Sequence, residues 1–226
     1  MHRRKCLYNT MRPYLINQNI LFVGAHPDDV ELGCGGTLIK SLNENINTIY
    51  VVILSKGENG VSIKNNTNRI DESLNGLISI GLQKKNIFTY SISDTNFNNN
   101  RKKIFHILEK IIIQKQITTI FTHTNKEYHQ DHIVIYEETL RAARNVGNIF
   151  LYETNAHTYS SYAPIYFIDV SKYINSKINL LNYHTSQKTK KYFSDENVKS
   201  LAKFRGNQSR HFQYAEGFEP IRIINQ

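Results

Sequence analysis

The stretch AHPDDVELGCGG, residues 25–36, follows directly on the apolar run Ile20–Val23. That run predicts a short buried strand, so one histidine and two adjacent aspartates stand immediately after a strand. Over about the first 150 residues, segments with strand and helix patterns alternate, which favours βαβ units and a mainly parallel sheet. We therefore predict an α/β fold in which helices flank the sheet. A site is expected at the C-terminal ends of the strands.

The pattern of apolar residues also predicts the individual elements. Short apolar runs predict strands at residues 20–25, 46–54, 87–90, 117–121, 149–152 and 165–168. Apolar residues at helical spacing predict helices that begin near Gly36 and Asn68, and others at residues 104–112, 134–144 and 174–181. The chain from about residue 159 is less regular, and we expect it to pack on the same sheet.

The chain has 226 residues, which is enough for a substantial core, and no internal repeat or clear linker divides it. We expect one domain over residues 1–226, with residues 1–19 as an unassigned N-terminal extension. No apolar run approaches the roughly 18 residues that would span a membrane. The basic start of the chain is not followed by the apolar core of a secretory signal, so we expect a cytoplasmic protein.

The charge and the cysteine content limit the binding partners and the redox compartment that we expect for this protein. The net charge is +9, but the basic residues are scattered rather than concentrated on a face with interleaved aromatic residues. We therefore expect no nucleic-acid partner. The two cysteines, Cys6 and Cys34, form neither a disulfide framework nor a CxxC site, so we expect free thiols in a reducing compartment. The sequence leaves the formation of a homo-oligomer open.

Two polar clusters, distant in sequence, follow predicted strands. His26 and Asp29 lie in the first cluster, and His132 lies in the second, HQDH at residues 129–132. Because the carboxyl ends of parallel strands meet at one edge of a sheet, the clusters are expected to meet. Two imidazoles and one carboxylate leave an open position on a zinc ion, and the same set suits Fe²⁺. The sequence therefore predicts a divalent metal site.

The neighbouring residues suit catalysis by water at such a site. Asp28 would stand beside the metal and take a proton from water, while His129 could face the substrate oxygen with Asp131 holding its tautomer. A purely structural interpretation is also open, in which the aspartates and His129 cap helices. Gly36 and its glycine neighbour serve either close helix–sheet packing or the approach of substrate to the backbone. The presence of two clusters favours the metal site.

At these residues the sequence resembles the PIG-L / LmbE-like family of metal-dependent N-deacetylases. The matching motifs are AHPDDVELGCGGT at residues 25–37 and HQDH at residues 129–132. Weaker matches occur in the family's order at residues 55–60, 69–72, 183–187 and 214–218. The resemblance extends from about Ile20 to Pro220, and the first motif is highly specific.

The resemblance implies a Rossmann-like fold and hydrolysis of an N-acetyl group on a glucosamine-type sugar conjugate, a small-molecule substrate. It implies zinc ligands at His26, Asp29 and His132. It also implies a general base at Asp28, and a histidine at His129, partnered by Asp131, that polarises the acetyl carbonyl or protonates the leaving amine. Positions expected near the substrate are Arg69, Gly36 and Glu58.

The chain departs from the family pattern at two positions. Gln130 stands where the family often has proline, and Glu127 stands where an aspartate is common. Neither change removes a predicted ligand, but both leave the preference among substrates open. The eukaryotic members with an N-terminal membrane anchor are a poorer match, because no such segment is present in this sequence.

Two alternatives compete with the deacetylase. A metal-dependent amidase or phosphoesterase on a non-sugar substrate would use the same ion and water. A non-catalytic nucleotide-binding module would use Gly33–Gly36 to cradle phosphate, but the GxGxxG pattern and an acidic residue for the ribose are missing. That module would also leave the second cluster without a role.

Overall fold

The computed structural model describes residues 18–44, 47–60, 68–154, 158 and 161–224. Its seven strands within these residues are β1 (Asn19–Gly24), β2 (Thr48–Ser55), β3 (Ile87–Ile92), β4 (Thr119–His123), β5 (Asn148–Tyr152), β6 (Tyr166–Asp169) and β7 (Ala215–Arg222). The α-helices are α1 (Asp29–Asn43), α2 (Arg69–Ser79), α3 (Arg101–Gln114), α4 (Gln130–Ala142), α5 (Ile174–Leu181) and α6 (Asp195–Ser209).

All seven strands form one sheet in the order β3-β2-β1-β4-β5-β7-β6. The first five strands are parallel to one another, and β7 and β6 are antiparallel to their neighbours. The α/β fold with a mainly parallel sheet is therefore confirmed. The ends of β1 and β4, which pair with each other, lead into the two polar clusters.

The alternation of side chains along β1 divides the core between the two faces of the sheet. Leu21 and Val23 pack in a cluster with apolar residues of α3 and α4. Ile20 and Phe22 point to the opposite face and pack with residues of α1 and α2. Because β1 is central and buried on both faces, it holds the turn that follows it in a fixed position.

Helix α1 begins seven residues before the predicted start near Gly36. The amide of Leu32 already donates to the carbonyl of Asp28 at 2.8 Å, so the helix forms directly after the His-Pro turn. The prediction was wrong because a bend interrupts the apolar pattern: Cys34 has φ −143° and ψ 24°, which is not helical. The glycines around Cys34 are therefore part of a bent helix rather than of a turn before one.

A buried ion pair from the C-terminal third of the chain hydrogen-bonds to the backbone at this bend. Glu216, in β7, accepts hydrogen bonds from the amides of Gly36 at 2.9 Å and Thr37 at 2.7 Å. Lys177, in α5, donates to the carbonyl of Leu32 at 2.7 Å and to Glu216 at 2.6 Å. The donors and acceptors that the bend would leave unpaired inside the helix are thus satisfied.

The last third of the chain is more regular than the sequence pattern indicates. Helix α6 and strand β7 were missed for a physical reason. The helix carries few large apolar residues, and the strand contains a glycine, a proline and two glutamates among its eight residues. This part does pack on the same sheet as predicted, through β6 and β7.

Two further expectations concern the cysteines and the membrane. Cys34 is a buried free thiol, whereas Cys6 lies outside the described residues. In the described part of the chain, none of the helices has the length and apolar character needed to cross a bilayer.

Candidate metal centre and active site

The turn after β1 carries a strained residue. Asp28 has φ 106°, in the left-handed region that residues other than glycine rarely adopt. Although Asp28 is the N-cap residue of α1, its side chain makes no capping hydrogen bond. It accepts instead from Nη2 of Arg69 at 2.9 Å. Helix capping therefore does not explain this aspartate, and strain of this kind is typical of functional sites.

The three predicted metal ligands converge. Nδ1 of His26 lies 3.5 Å from Oδ2 of Asp29, and Nε2 of His132 lies 3.3 Å from Oδ1 of the same carboxylate. The two ring nitrogens are 3.4 Å apart. Atoms about 2.1 Å from a tetrahedrally coordinated ion lie about 3.4 Å from one another. The two ring nitrogens thus have the spacing of two ligands of one ion, and the carboxylate of Asp29 presents one oxygen to each ring. All three side chains are almost fully buried.

The remaining nitrogen of each histidine is bound to carboxylates. Nε2 of His26 lies 3.0 Å from Oδ1 of Asp94 and 3.2 Å from Oδ2 of Asp131. Nδ1 of His132 is hydrogen-bonded to Glu127. Carboxylates that accept from one ring nitrogen fix the tautomer that directs the other lone pair to a metal. The residues present therefore fit a divalent ion.

The same carboxylates control protonation of the two histidines. Burial lowers the pKa of His26, but hydrogen bonds to the carboxylates of Asp131, Asp29 and Asp94 outweigh it and hold the pKa well above its usual value. Burial likewise lowers the pKa of His132, and Asp29 and Glu127 outweigh it and raise the pKa to about 9. A metal ion must therefore displace protons from these rings when it binds.

Three sets of donor atoms within 4.8 Å of one another occur in the described residues: His26 with His129 and His132, Asp29 with His123 and His132, and His26 with Asp94 and Asp131. The predicted set is not one of the three, but it shares two residues with each of the first two. Their additional members have other partners. Asp94 accepts from the amide of Asn59 at 3.1 Å, and Nε2 of His123 lies 3.0 Å from the hydroxyl of Tyr152. We therefore favour the predicted set over these combinations.

Arg69 is a buried support for Asp28. Its Nη1 donates to the carbonyl of Gly57 at 2.9 Å, and its Nη2 donates to the carbonyl of Pro27 and to Asp28, both at 2.9 Å. A Cβ at Gly57, which has φ +66°, would lie 2.3 Å from Nη1 of Arg69. Arg69 lines the cleft as predicted, but its contacts hold the turn and the carboxylate in position.

Asp131, expected as the partner of His129, has its carboxylate hydrogen-bonded to other groups. The carboxylate of Asp131 contacts His26 and accepts from the amides of Thr95 at 2.7 Å and Phe97 at 3.4 Å. Burial, followed by the positive charges of His132 and His26, lowers the pKa of His129 to about 4. His129 is therefore neutral near pH 7, not protonated.

The hydrogen bond of His129 to the backbone assigns its tautomer. Nδ1 accepts from the amide of Asp131 at 3.3 Å, at the N-terminus of α4. The proton of the neutral ring is therefore on Nε2. His129 thus caps the helix, as the structural alternative held. It also lines the cleft and can donate a hydrogen bond there.

Three acidic or basic residues of the site were not predicted. Asp94 follows the end of β3, so the strand-end argument applied to that strand could have indicated it. His123 is the last residue of β4, and its Nε2 lies 3.2 Å from Oδ2 of Asp29. Glu127 was noted only as a departure from the family pattern. It accepts from the amide and the hydroxyl of Thr154, both at 3.0 Å, in addition to binding His132.

Two residues predicted near the substrate do not line the cleft. Gly36 lies inside α1, where a Cβ would be 2.8 Å from Cγ1 of Val170, so its role is close packing. Glu58 accepts from the amide of Asp94 at 3.0 Å and from the hydroxyl of Ser55 at 3.3 Å. It therefore supports the loop that carries Asp94. Both predictions are corrected.

The glycine-rich stretch is not a phosphate cradle. A Cβ at Gly33 would lie 2.2 Å from Cδ2 of Tyr152, so this glycine is required by packing. The amides of Gly36 and Thr37 already donate to Glu216. The nucleotide-binding alternative therefore lacks the open backbone donors that it needs.

The residues of the two polar clusters surround a cleft of about 80 Å³, called the metal-site cleft below. It is lined by the predicted residues His26, Asp28, Asp29, Arg69, His129 and His132. Its other walls include Leu32, Gly60, Asp94, Thr154, Lys190 and Tyr192.

The sequence model described as PIG-L: GlcNAc-PI de-N-acetylase matches residues 21–143. The uncharacterized deacetylase YaiS of Escherichia coli (strain K12) is 31% identical over 175 residues, which cover 75% of this chain and 91% of YaiS. The diacetylchitobiose deacetylase of Thermococcus kodakarensis is 21% identical over 231 residues, with 94% of this chain and 85% of that protein covered.

The fold is similar to that of GalB, the 4-carboxy-2-hydroxymuconate hydratase of Pseudomonas putida KT2440. The TM-score is 0.77 at 20% identity, and the match covers 92% of this chain and 99% of GalB. The chain belongs to the PIG-L family of GlcNAc-PI de-N-acetylases.

Proposed function

We propose that this protein is a metal-dependent N-deacetylase that hydrolyses the acetamide of an N-acetylglucosamine-type sugar conjugate. The products are acetate and a free amine. The observation that carries the proposal is that the ring nitrogens of His26 and His132 lie 3.4 Å apart and that each lies within 3.5 Å of an oxygen of Asp29. Membership of the PIG-L family supports the reaction and the type of sugar.

The metal would be held by these three side chains. A divalent ion bound there supplies Lewis acidity for the water and the acetyl carbonyl. Two imidazoles and one carboxylate suit Zn²⁺, which we propose as the native ion, and Fe²⁺ is the alternative. The surrounding carboxylates of Asp94 and Glu127 orient the imidazoles for the ion.

Asp28 is the proposed general base. It lines the same cleft as the ligands, and Arg69 fixes its carboxylate with a hydrogen bond of 2.9 Å. Burial raises the pKa of Asp28 and Arg69 opposes that shift, so the carboxylate is basic but remains oriented. It takes a proton from the attacking water and returns it to the nitrogen of the departing amine.

His129 is the proposed donor to the acetyl oxygen. The neutral ring carries its proton on Nε2, and a hydrogen bond from that atom would strengthen as negative charge develops on the oxygen. Because the ring is neutral, we assign protonation of the leaving amine to Asp28 instead. Asp131 orients His26 by a hydrogen bond to its ring, and its carboxylate also accepts hydrogen bonds from the amides of residues 95 and 97.

The test is acetate release from purified protein that has been stripped of metal and reloaded with Zn²⁺ or Fe²⁺. N-acetylglucosamine glycosides are the substrates, and phosphate release from phosphomonoesters is measured in parallel. We expect acetate and free amine in equal amounts from the reloaded protein only. Phosphate release without acetate release, or full deacetylation by the metal-free protein, would contradict the proposal.

A further inference from the structure

Six of the residues that line the metal-site cleft lie outside both polar clusters, and two of these come from the C-terminal third of the chain between two helices. Lys190 and Tyr192 belong to the segment between α5 and α6. This segment also lies outside residues 21–143, which the family model matches. The chemistry of hydrolysis at the metal site gives neither of them a role. They are therefore candidates for recognition of the part of the substrate that does not react.

The ammonium group of Lys190 is not paired with a carboxylate of the described residues. Of the two cationic side chains assigned to this cleft, Arg69 is bound to Asp28 and to two backbone carbonyls. The ammonium of Lys190 makes no hydrogen bond or ion pair with any residue that the structure describes. Nζ lies 5.7 Å from the centroid of the Tyr192 ring.

The surroundings of Lys190 favour an anionic ligand. The side chain is half-buried, and burial lowers its pKa, an effect that the carboxylate of Asp28 opposes. An ammonium that is partly removed from water gains from a close anion. The lining of the cleft also includes the carboxylates of Asp28, Asp29 and Asp94. A negatively charged substrate would be repelled there unless a cation such as Lys190 received its charge.

We propose that Lys190 binds an anionic group, a phosphate or a carboxylate, on the substituent that the N-acetylated sugar carries. Tyr192 holds the lysine against its ring and forms an apolar wall of the same subsite. The proposal rests on the deacetylase function and narrows its substrate class to anionic conjugates. Charge-assisted hydrogen bonds of this kind change affinity by about 10- to 100-fold.

The experiment compares three substrates that differ in one substituent. They are methyl N-acetylglucosaminide, which is neutral, carboxymethyl N-acetylglucosaminide and N-acetylglucosamine 1-phosphate. The readout is the ratio of kcat/KM for each anionic substrate to kcat/KM for the neutral one, measured by acetate release from the metal-loaded protein. We expect a ratio of at least about 10 for the wild type. The larger ratio identifies phosphate or carboxylate as the preferred group.

Substitutions of Lys190 test whether this residue causes the preference for anionic substrates. Lys190→Gln should lower the ratio about 10-fold or more, and Lys190→Arg, which keeps the charge, should retain most of it. Lys191→Gln is the matched control, because Lys191 is the adjacent exposed lysine and does not line the cleft. It should leave the ratio within about twofold of the wild type, since exposed charges are screened.

The outcomes separate this proposal from the deacetylase function. Hydrolysis of the neutral substrate by the wild type with a ratio near one would leave the deacetylase function in place and overturn the anionic subsite. Equal loss of the ratio in Lys190→Gln and Lys191→Gln would also overturn it. Acetate release from none of the three substrates by metal-loaded protein would count against both proposals.

Discussion

Nδ1 of His26 and Nε2 of His132 lie 3.4 Å apart although the two residues are separated by 106 positions in the chain. Each ring is held in this orientation by carboxylates on its other nitrogen. The two lone pairs therefore face the same point, at which Asp29 also presents its carboxylate. Such an arrangement of donors suits a bound divalent ion once the rings are deprotonated, and it is the basis of the first two predictions.

The wild-type protein should bind about one divalent ion per chain, and His26→Ala should lose it. Removal of this ligand leaves one imidazole and one carboxylate, so the affinity should fall by at least about 100-fold. Elemental analysis after dialysis against buffers of fixed free Zn²⁺ measures this. His106→Ala is the control, because the side chain of His106 is exposed on α3. Full metal content in His26→Ala would exclude His26 as a ligand.

Asp28→Asn and Asp29→Asn should separate catalysis from metal binding. The Asp28 variant should keep its metal and lose about 10²–10⁴-fold in kcat, because an amide cannot accept the proton of water. The Asp29 variant should lose affinity for the metal. Activity and metal content are measured on the same preparations. If Asp28→Asn loses the metal while Asp29→Asn keeps it, the two roles are exchanged.

His129→Ala should lower kcat by about 10²–10³-fold with unchanged metal content, because a donor to the developing oxyanion is removed. His129→Asn should recover part of the loss, since a neutral amide can also donate a hydrogen bond. Thermal unfolding of both variants controls for the cap that His129 provides to α4. A near-normal kcat in His129→Ala would leave capping as its sole role.

Gly33→Ala should destabilise the fold strongly. The added methyl group would lie 2.2 Å from the ring of Tyr152, whose hydroxyl is fixed by a hydrogen bond of 2.7 Å to the carbonyl of Val23. Overpacking of this kind costs about 1–3 kcal/mol or more. Gly147→Ala is the matched control, because a Cβ there meets atoms only at 3.7 Å or beyond. Equal melting temperatures for the two variants would contradict the argument.

Glu72 should contribute a part of the stability that is lost in acid. Although burial raises its pKa, hydrogen bonds from Ser186 and Thr185 lower it below the ordinary value of 4.5. The unfolded chain therefore binds this proton more readily. The contribution is fully present above pH 4.5 and disappears as the pH falls through the lower pKa of the folded state.

Glu72→Gln tests this assignment by its dependence on pH. The variant should melt at a lower temperature than the wild type at pH 7, and the difference should shrink as the pH falls below 4.5. Thermal unfolding monitored by circular dichroism across this range is the measurement. A difference in melting temperature that is constant with pH would mean that the carboxylate is not the source of the stability.

The sequence was sufficient to predict the parallel sheet and the meeting of the two clusters, because both follow from strand order and from the position of polar residues after strands. Asp94 and Glu127 were not predicted as parts of the site. Carboxylates in loops are common, and only the folded chain shows that these two lie against the rings of His26 and His132.

Other errors arose where local patterns were overridden by packing. Gly36 was expected near the substrate, but contacts with Val170 and Glu216 require a glycine there. Asp131 was assigned to His129 because the two are close in sequence. The first turn of α4 directs the carboxylate toward His26 and residues 95–97 instead.

The bend in α1 makes the conformation of the turn that carries His26 and Asp29 depend on residues distant in sequence. The amides at the bend donate hydrogen bonds to Glu216, and the carbonyl of Leu32 accepts one from Lys177. Both residues lie in the C-terminal third of the sequence. A fragment limited to residues 21–143 would keep every proposed ligand but would lose both of these hydrogen-bonding side chains. The position of His26 and Asp29 therefore depends on Glu216 and Lys177 as well as on the residues of the turn itself.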